Sequence, residues 1–209
     1  MKKIYNSFFI TLAVFFTGCL DFEEKPVDIF APEVVFNTEA DVEAAVMGCY
    51  SIMASNSYLG QAFQFLTEWP SDLSSYHTMS GNVNRNELNR LMVTSTNNVV
   101  SPVWINIYAA ISAANLSITG ASKVDMDEIK KNQLLAEARL IRAYNYYHLV
   151  QLWGDAPYLE DFVSDPKSVK TMSRTPAAEI WDYIKADCEF AKQNLPNTYP
   201  NDIRSRPTK

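Results

Sequence analysis

The chain has 209 residues, 47% of them apolar, and carries 24 acidic against 18 basic side chains for a formal charge of −6. That much apolar material excludes a disordered or collagen-like chain, and the acidic balance argues against a nucleic-acid binder, which needs a clustered basic excess. Six glycines and two histidines leave little from which to build phosphate loops or histidine metal cages, so small-molecule catalysis is disfavoured from the start.

Lys2 and Lys3 precede the apolar run 8–16, and the small residues Thr17 and Gly18 stand directly before Cys19. This is the charged, apolar, small-residue order of an export signal, and the run falls well short of the roughly 20 residues of a spanning helix. Residues 1–18 therefore read as a signal peptide. Thr17-Gly18-Cys19 resembles the lipobox of bacterial lipoproteins, with Phe16 where an aliphatic residue is usual. The resemblance implies that Cys19 is acylated and begins the mature chain; at about 0.8 kcal/mol per buried methylene, more than one acyl chain anchors it stably. Loss of residues 1–18 shifts the formal charge from −6 to −8. Asp21, Glu23 and Glu24 follow, a stretch similar to the surface-export signal of some Gram-negative lipoproteins, and Pro26 and Pro32 keep 19–37 extended as a tether.

The body, 38–209, reads as helices joined by turns. Thr38 is an N-cap with Asp41 three residues on, and Val42, Ala45, Val46, Cys49, Tyr50 and Met53 recur at helical spacing, predicting a helix from Thr38 to about Ser55. A second runs from about Pro102 to Ile118, with Trp104, Ile107, Tyr108, Ile111, Ala114 and Ile118 on one face. The third, from about Asp127 to Trp153, stops where Gly154 can take a left-handed C-cap and Pro157 cannot continue. Thr175 as N-cap and Pro176 in the first turn open the fourth, whose buried stripe is Ile180, Ile184, Cys188, Ala191 and Leu195. With Cys19 assigned to lipid, Cys49 and Cys188 are expected as two small buried thiols, a single bridge being the alternative. No segment between the helices shows sustained strand alternation.

Tyr58 to Asn98 is different. It is rich in Ser, Thr and Asn, holds Gly60, Pro70 and Gly81, and has only a short apolar patch at Phe63, Phe65 and Leu66. So long a connection inside a domain is usually functional, which makes it the expected place for ligand contacts. The third helix is apolar nearly all round yet contains Glu137, Arg139 and Arg142, none with an opposite charge at helical spacing. They are expected to form a structural network with groups from other elements.

The stretch from Ala136-Glu137-Ala138-Arg139 through Arg142-Ala143 and Tyr147 to Leu152-Trp153-Gly154-Asp155-Ala156-Pro157 closely resembles the hallmark segment of the SusD/RagB family, an EAR-x-x-RA-x-x-Y core running into an aliphatic-aromatic-Gly-Asp-x-Pro turn. The resemblance implies an all-α fold, an irregular tetratricopeptide-like helical superhelix with long loops. It also implies a lipid-anchored, non-enzymatic protein outside the outer membrane that caps a SusC-like TonB-dependent transporter and hands it glycans or, less often, peptides. Members are usually much longer, so the chain, which stops at Arg206-Pro207-Thr208-Lys209, reads as the amino-terminal portion of such a protein. No clean repeat at the roughly 34-residue tetratricopeptide period is present, so the repeats are expected to be irregular.

Aromatic rings with a polar tip suit sugar stacking, with nearby amides taking the hydroxyls. Trp69, Tyr76, His77, Asn82, Asn84 and Asn86 in the long segment are the candidate glycan contacts; the alternative is that Trp69 packs on the first helices and the asparagines only make turns. Trp104, Tyr108, Tyr144 and Trp181 sit at helical spacing and read as core. Carboxylate pairs such as Glu68 with Asp72 can be drawn on any acidic chain, and nothing fixes their separation. His77 and His148 are too far apart for a metal motif, so no catalytic residue, metal or cofactor is assigned. The second reading is a structural subunit that clamps the transporter without ligand affinity of its own.

Overall fold

The computed structural model describes residues 35–71, 73–77, 81–165, 167–199 and 206–209. The signal peptide, Cys19, nearly all of the tether and Asp72 lie outside them. Six α-helices and no strand occur among the described residues: α1 (Glu39–Met53), α2 (Ala62–Glu68), α3 (Val83–Asn89), α4 (Val100–Lys123), α5 (Glu128–Trp153) and α6 (Ala177–Asn194), with a 3-10 turn at Ser168–Thr171. None of them is long and apolar enough to cross a membrane.

Helix α1 begins as its sequence demands. The Thr38 hydroxyl accepts from the Asp41 N–H at 3.3 Å while the Asp41 carboxylate takes the Thr38 N–H at 2.8 Å, so two orphan donors of the first turn are satisfied reciprocally. These bonds, that from the Asn37 N–H first, hold the exposed Asp41 carboxyl below its ordinary range. Val42, Val46 and Cys49 are fully buried, and Ala45, Tyr50 and Met53 line the edges of the same face.

The second long helix exceeds its periodicity at both ends, starting at Val100 and running through Gly120 to Lys123. Gly120 lies within the helix and its missing Cβ makes room for the Phe36 ring: a Cβ there would stand 2.5 Å from two ring carbons. Phe36 thus closes a cluster with Val42, Val46, Cys49, Ala114, Leu134, Ala138 and Ile141. A second cluster, built from Tyr58, Val103, Ile107, Ile111, Tyr146, Leu149, Ile180 and Ile184, joins α4, α5 and α6. Packing runs α1 on α4, α4 on α5 and α5 on α6, with α2 on α4 and α3 on α2. The fold is all-α and tetratricopeptide-like, each long helix burying its face against chain neighbours.

The α5–α6 connection departs from expectation in three ways. Gly154 has positive φ (70°), but its ψ of −127° is not that of a left-handed helical cap; glycine tolerates it because it has no Cβ. Thr175 does not cap α6, whose N-cap position falls on Pro176; the Thr175 backbone instead exchanges hydrogen bonds with Ala156 at 2.9 and 3.2 Å. The cap comes from Asp155, whose Oδ1 accepts the Ala177 N–H at 2.8 Å. Cys188 is exposed, and Asp187 takes its place on the buried face. Both cysteines are free, and burial pushes the Cys49 thiol up to about 11.

Candidate functional site

The long segment between α1 and α4 folds as two short helices and clamped turns. Phe65 and Trp69, four residues apart, meet on one side of α2, and their rings stack with centroids 4.1 Å apart and planes 10° apart. Tyr76 lies beside Trp69 at 5.1 Å, its N–H donating to Asn89 Oδ1 at 3.1 Å, which ties 73–77 to α3. Asn82 caps α3 by accepting the Arg85 N–H at 3.1 Å. One turn in, the Arg85 guanidinium carbon stands 5.1 Å from the Phe65 ring centroid, 5.4 Å from Tyr76 and 5.9 Å from Trp69.

Behind α3, amides hold the chain. Asn98 donates its N–H to Asn84 Oδ1 at 2.9 Å, and Asn97 donates its amide to the Asn84 carbonyl and to Glu87 Oε2, both at 2.8 Å. The Asn97 bond, aided by Thr94, keeps the Glu87 carboxyl below its ordinary range. Helix α3 ends in a Schellman turn: Leu91 N–H donates to the Leu88 carbonyl, Met92 N–H to the Glu87 carbonyl, and Leu91 itself takes φ +55°. These clamps place α3 against a cavity of about 270 Å³ whose lining includes Asn56, Ser57, Gln61, Asn82 and Asn98, with Phe65 and Arg85 at its aromatic side. The site therefore offers amide donors and acceptors beside stacked rings.

The candidate residues divide accordingly. Trp69 and Tyr76 belong to the ring cluster and Asn82 lines the cavity. Asn84 is a turn clamp, and Asn86 buries its side-chain oxygen without a partner among the described residues. His77 is exposed and joins none of these contacts. Sequence reasoning missed Arg85 and the cavity amides Asn56, Gln61 and Asn98. The i,i+4 spacing of Phe65 and Trp69 was the available signal for the stack.

Glu137, Arg139 and Arg142 of α5, expected to share one network, occupy separate environments. Arg142 makes a bidentate pair with Asp187, Nε to Oδ2 at 2.7 Å and Nη2 to Oδ1 at 2.8 Å, and its Nη1 donates to Asn115 Oδ1 and the Glu160 carbonyl. Burial lowers its proton affinity, but Asp187 more than offsets this and the net shift is upward. Asn115 in turn donates to the Leu159 and Asp161 carbonyls, so this network fastens the post-α5 loop to α4 and α6. Glu137, fully buried, accepts from Tyr50, Tyr199 and Arg206, and Arg206 also reaches Glu43 at 2.7 Å. The Arg206 bond, helped by Lys130, holds the Glu43 carboxyl below its ordinary range. Arg139 joins neither network; its guanidinium lies 4.1 Å over the Phe190 ring.

Trp104, Tyr108 and Trp181 pack against the core, but Tyr144, expected there, is 40% exposed. Asn145 and Tyr146 point inward from the same turn, Asn145 accepting from the Tyr58 hydroxyl at 2.8 Å, and this turns Tyr144 outward. Tyr144 lines a more apolar groove with Tyr50, Met53, Leu140, Ile141, Arg206 and Pro207. Among the described residues no group of three or more His, Cys, Asp or Glu side chains is placed to hold a metal ion.

Comparison with known proteins supplies the family. A SusD-like family model described as "Starch-binding associating with outer membrane" matches residues 21–209. SusD-like protein P2 of Formosa agariphila is 39% identical over 198 residues, 95% of this chain and 39% of that protein. The chain thus spans about two fifths of the length of that relative. Among solved structures, a laminarin-binding SusD-like protein superposes with TM-score 0.72 at 21% identity, covering 83% of this chain and 38% of that one. A structure solved with xylogluco-oligosaccharide gives TM-score 0.65 at 24% identity over 80% of this chain and 32% of that one. The hallmark segment on α5, the helical stack and the match across 21–209 lead to one conclusion: the chain belongs to the SusD-like family.

Proposed function

We propose that this chain is the glycan-capturing amino-terminal part of a surface lipoprotein, anchored through an acylated Cys19, that binds oligosaccharides without cleaving them and delivers them to a SusC-type TonB-dependent transporter. The observation that carries the reading is the amide-lined cavity beside the Phe65–Trp69–Tyr76 rings. A pyranose has an apolar face that a ring covers and equatorial hydroxyls that carboxamides satisfy, and this site presents both within one loop segment. The family description and the sugar ligands named for two structural neighbours point the same way. The Arg142 and Glu137 networks serve this function indirectly, by fixing the register of α5 against α1, α4 and α6.

Isothermal titration of the full chain against laminarin-, xyloglucan-, starch- and uronate-derived oligosaccharides, together with a peptide panel, tests the reading. Saturable binding to a glycan that Trp69→Ala weakens about tenfold is expected, a loss of about 1.4 kcal/mol. Empty titrations combined with co-purification of a transporter would support a structural capping role instead. Release of reducing ends from any glycan would contradict the non-enzymatic assignment.

A further inference from the structure

Arg85 differs from Arg142 and Arg206. Arg142 is neutralised by Asp187 and Arg206 by Glu137 and Glu43, whereas no carboxylate pairs with the Arg85 guanidinium among the described residues. Among the described residues the polar contact given for Arg85 is made by its backbone N–H, which donates to Asn82 Oδ1. The nearest acid on its own helix, Glu87, is turned to Thr94 and Asn97. The described residues that line the cavity beside Arg85 are amides, a serine and apolar residues, with no Asp or Glu among them. In a chain of net charge −6, this site is locally cationic.

The three rings near the guanidinium explain how the cation is held without an acid. Cation–π attraction holds the cation without using up its N–H donors in hydrogen bonds. A guanidinium held beside rings at 5.1–5.9 Å, with no carboxylate partner among the described residues, suits bidentate recognition of a planar or tetrahedral oxyanion. The half-buried rings and the amides supply the rest of a saccharide site.

We propose that the Arg85 cavity selects a saccharide bearing an oxyanion, a uronate carboxylate or a ring sulfate ester, with the guanidinium taking the charged group and the Phe65–Trp69–Tyr76 cluster meeting the sugar ring. This rests on the glycan-binding reading and narrows it to a substrate class. Specificity then arises from charge at one position, since a neutral sugar leaves the guanidinium matched only by hydroxyls and water.

Titrating the full chain with four probes tests it: oligogalacturonate, sulfated carrageenan oligosaccharide, laminarihexaose and a xylogluco-oligosaccharide, each at low and at physiological salt. At least one charged probe should bind about tenfold or more tighter than both neutral ones, with the advantage shrinking as salt rises. The two charged arms separate carboxylate from sulfate. Arg85→Gln should weaken charged-probe binding at least about threefold more than neutral-probe binding, and Arg85→Lys should retain part of the preference. Neutral probes binding as well as or better than charged ones would overturn the proposal and leave the glycan-binding function standing, and this comparison needs no variant. Equal loss of charged and neutral binding in a folded Arg85→Gln protein would also overturn it. Absence of binding to all four would overturn this proposal; binding elsewhere in the wider panel would still uphold the glycan-binding reading.

Discussion

Asp187→Ala isolates the contribution of the network that fixes α5 against α6. The two side chains of the Arg142–Asp187 pair are only 9% and 7% exposed, and Asp187 receives two guanidinium bonds of 2.7 and 2.8 Å. Removing the carboxylate leaves a buried cation whose acceptors among the described residues are the Asn115 amide oxygen and the Glu160 carbonyl. Breaking one side of a buried pair costs about 3–5 kcal/mol. Against a typical domain stability of about 5–15 kcal/mol, that is a large share. At about 2–4 °C per kcal/mol for a chain of this size, the midpoint should fall by about 6–20 °C. Urea melts followed by far-ultraviolet circular dichroism measure the change as a lower Cm at unchanged m. The double variant Arg142→Met with Asp187→Leu should lie closer to the parent than Asp187→Ala alone, because it removes the uncompensated charge together with its partner. It should not recover fully, since Asn115 and the Glu160 carbonyl lose a donor. A loss below about 1 kcal/mol in Asp187→Ala, or strict additivity of the single variants Arg142→Met and Asp187→Leu in their double variant, would refute the claim that this pair fixes the helices.

Gly120→Ala should destabilise by about 1–3 kcal/mol because its Cβ meets the Phe36 ring, and Phe36→Leu in the same chain should recover part of that loss in the same melts. Leu91→Gly should stabilise by about 0.5–1 kcal/mol, because Leu91 occupies the positive-φ position of the α3 Schellman turn while 71% exposed; an unchanged or lowered Cm would contradict the strain. Glu43 has its carboxyl held below the ordinary value of 4.5 by Arg206, so its contribution is fully present above that pH and fades as pH falls through the lowered folded value. Glu43→Gln should accordingly lower Cm at pH 7 and narrow the gap from the parent at pH 3; an equal gap at both pH values would show that the charge is immaterial.

The helices were legible in sequence where a single rule governed them. Thr38 with Asp41, and Asp127, set the starts of α1 and α5, because capping chemistry is local. The errors arose where a distant group took over a local task. Asp155 caps α6 from 22 residues upstream while Thr175 is occupied by Ala156, and Asp187 displaces Cys188 from the buried face because Arg142 lies opposite. Gly120 makes room for Phe36, 84 residues earlier, and no window around the glycine contains that contact. In the candidate site, composition pointed to the right segment but gave each asparagine equal weight. The fold separates Asn82, which lines the cavity, from Asn84, which clamps a turn. Arg85 was invisible because its significance lies in what does not neutralise it, a tertiary property.

The most direct measurement is a crystal structure of the full chain with the oligosaccharide that titrates most tightly. The account predicts a sugar ring against the Phe65–Trp69–Tyr76 cluster, with hydroxyls within hydrogen-bond distance of Asn56, Asn82 or Asn98. A sugar bound instead in the groove at Tyr144, with the loop cavity filled only by solvent, would contradict it.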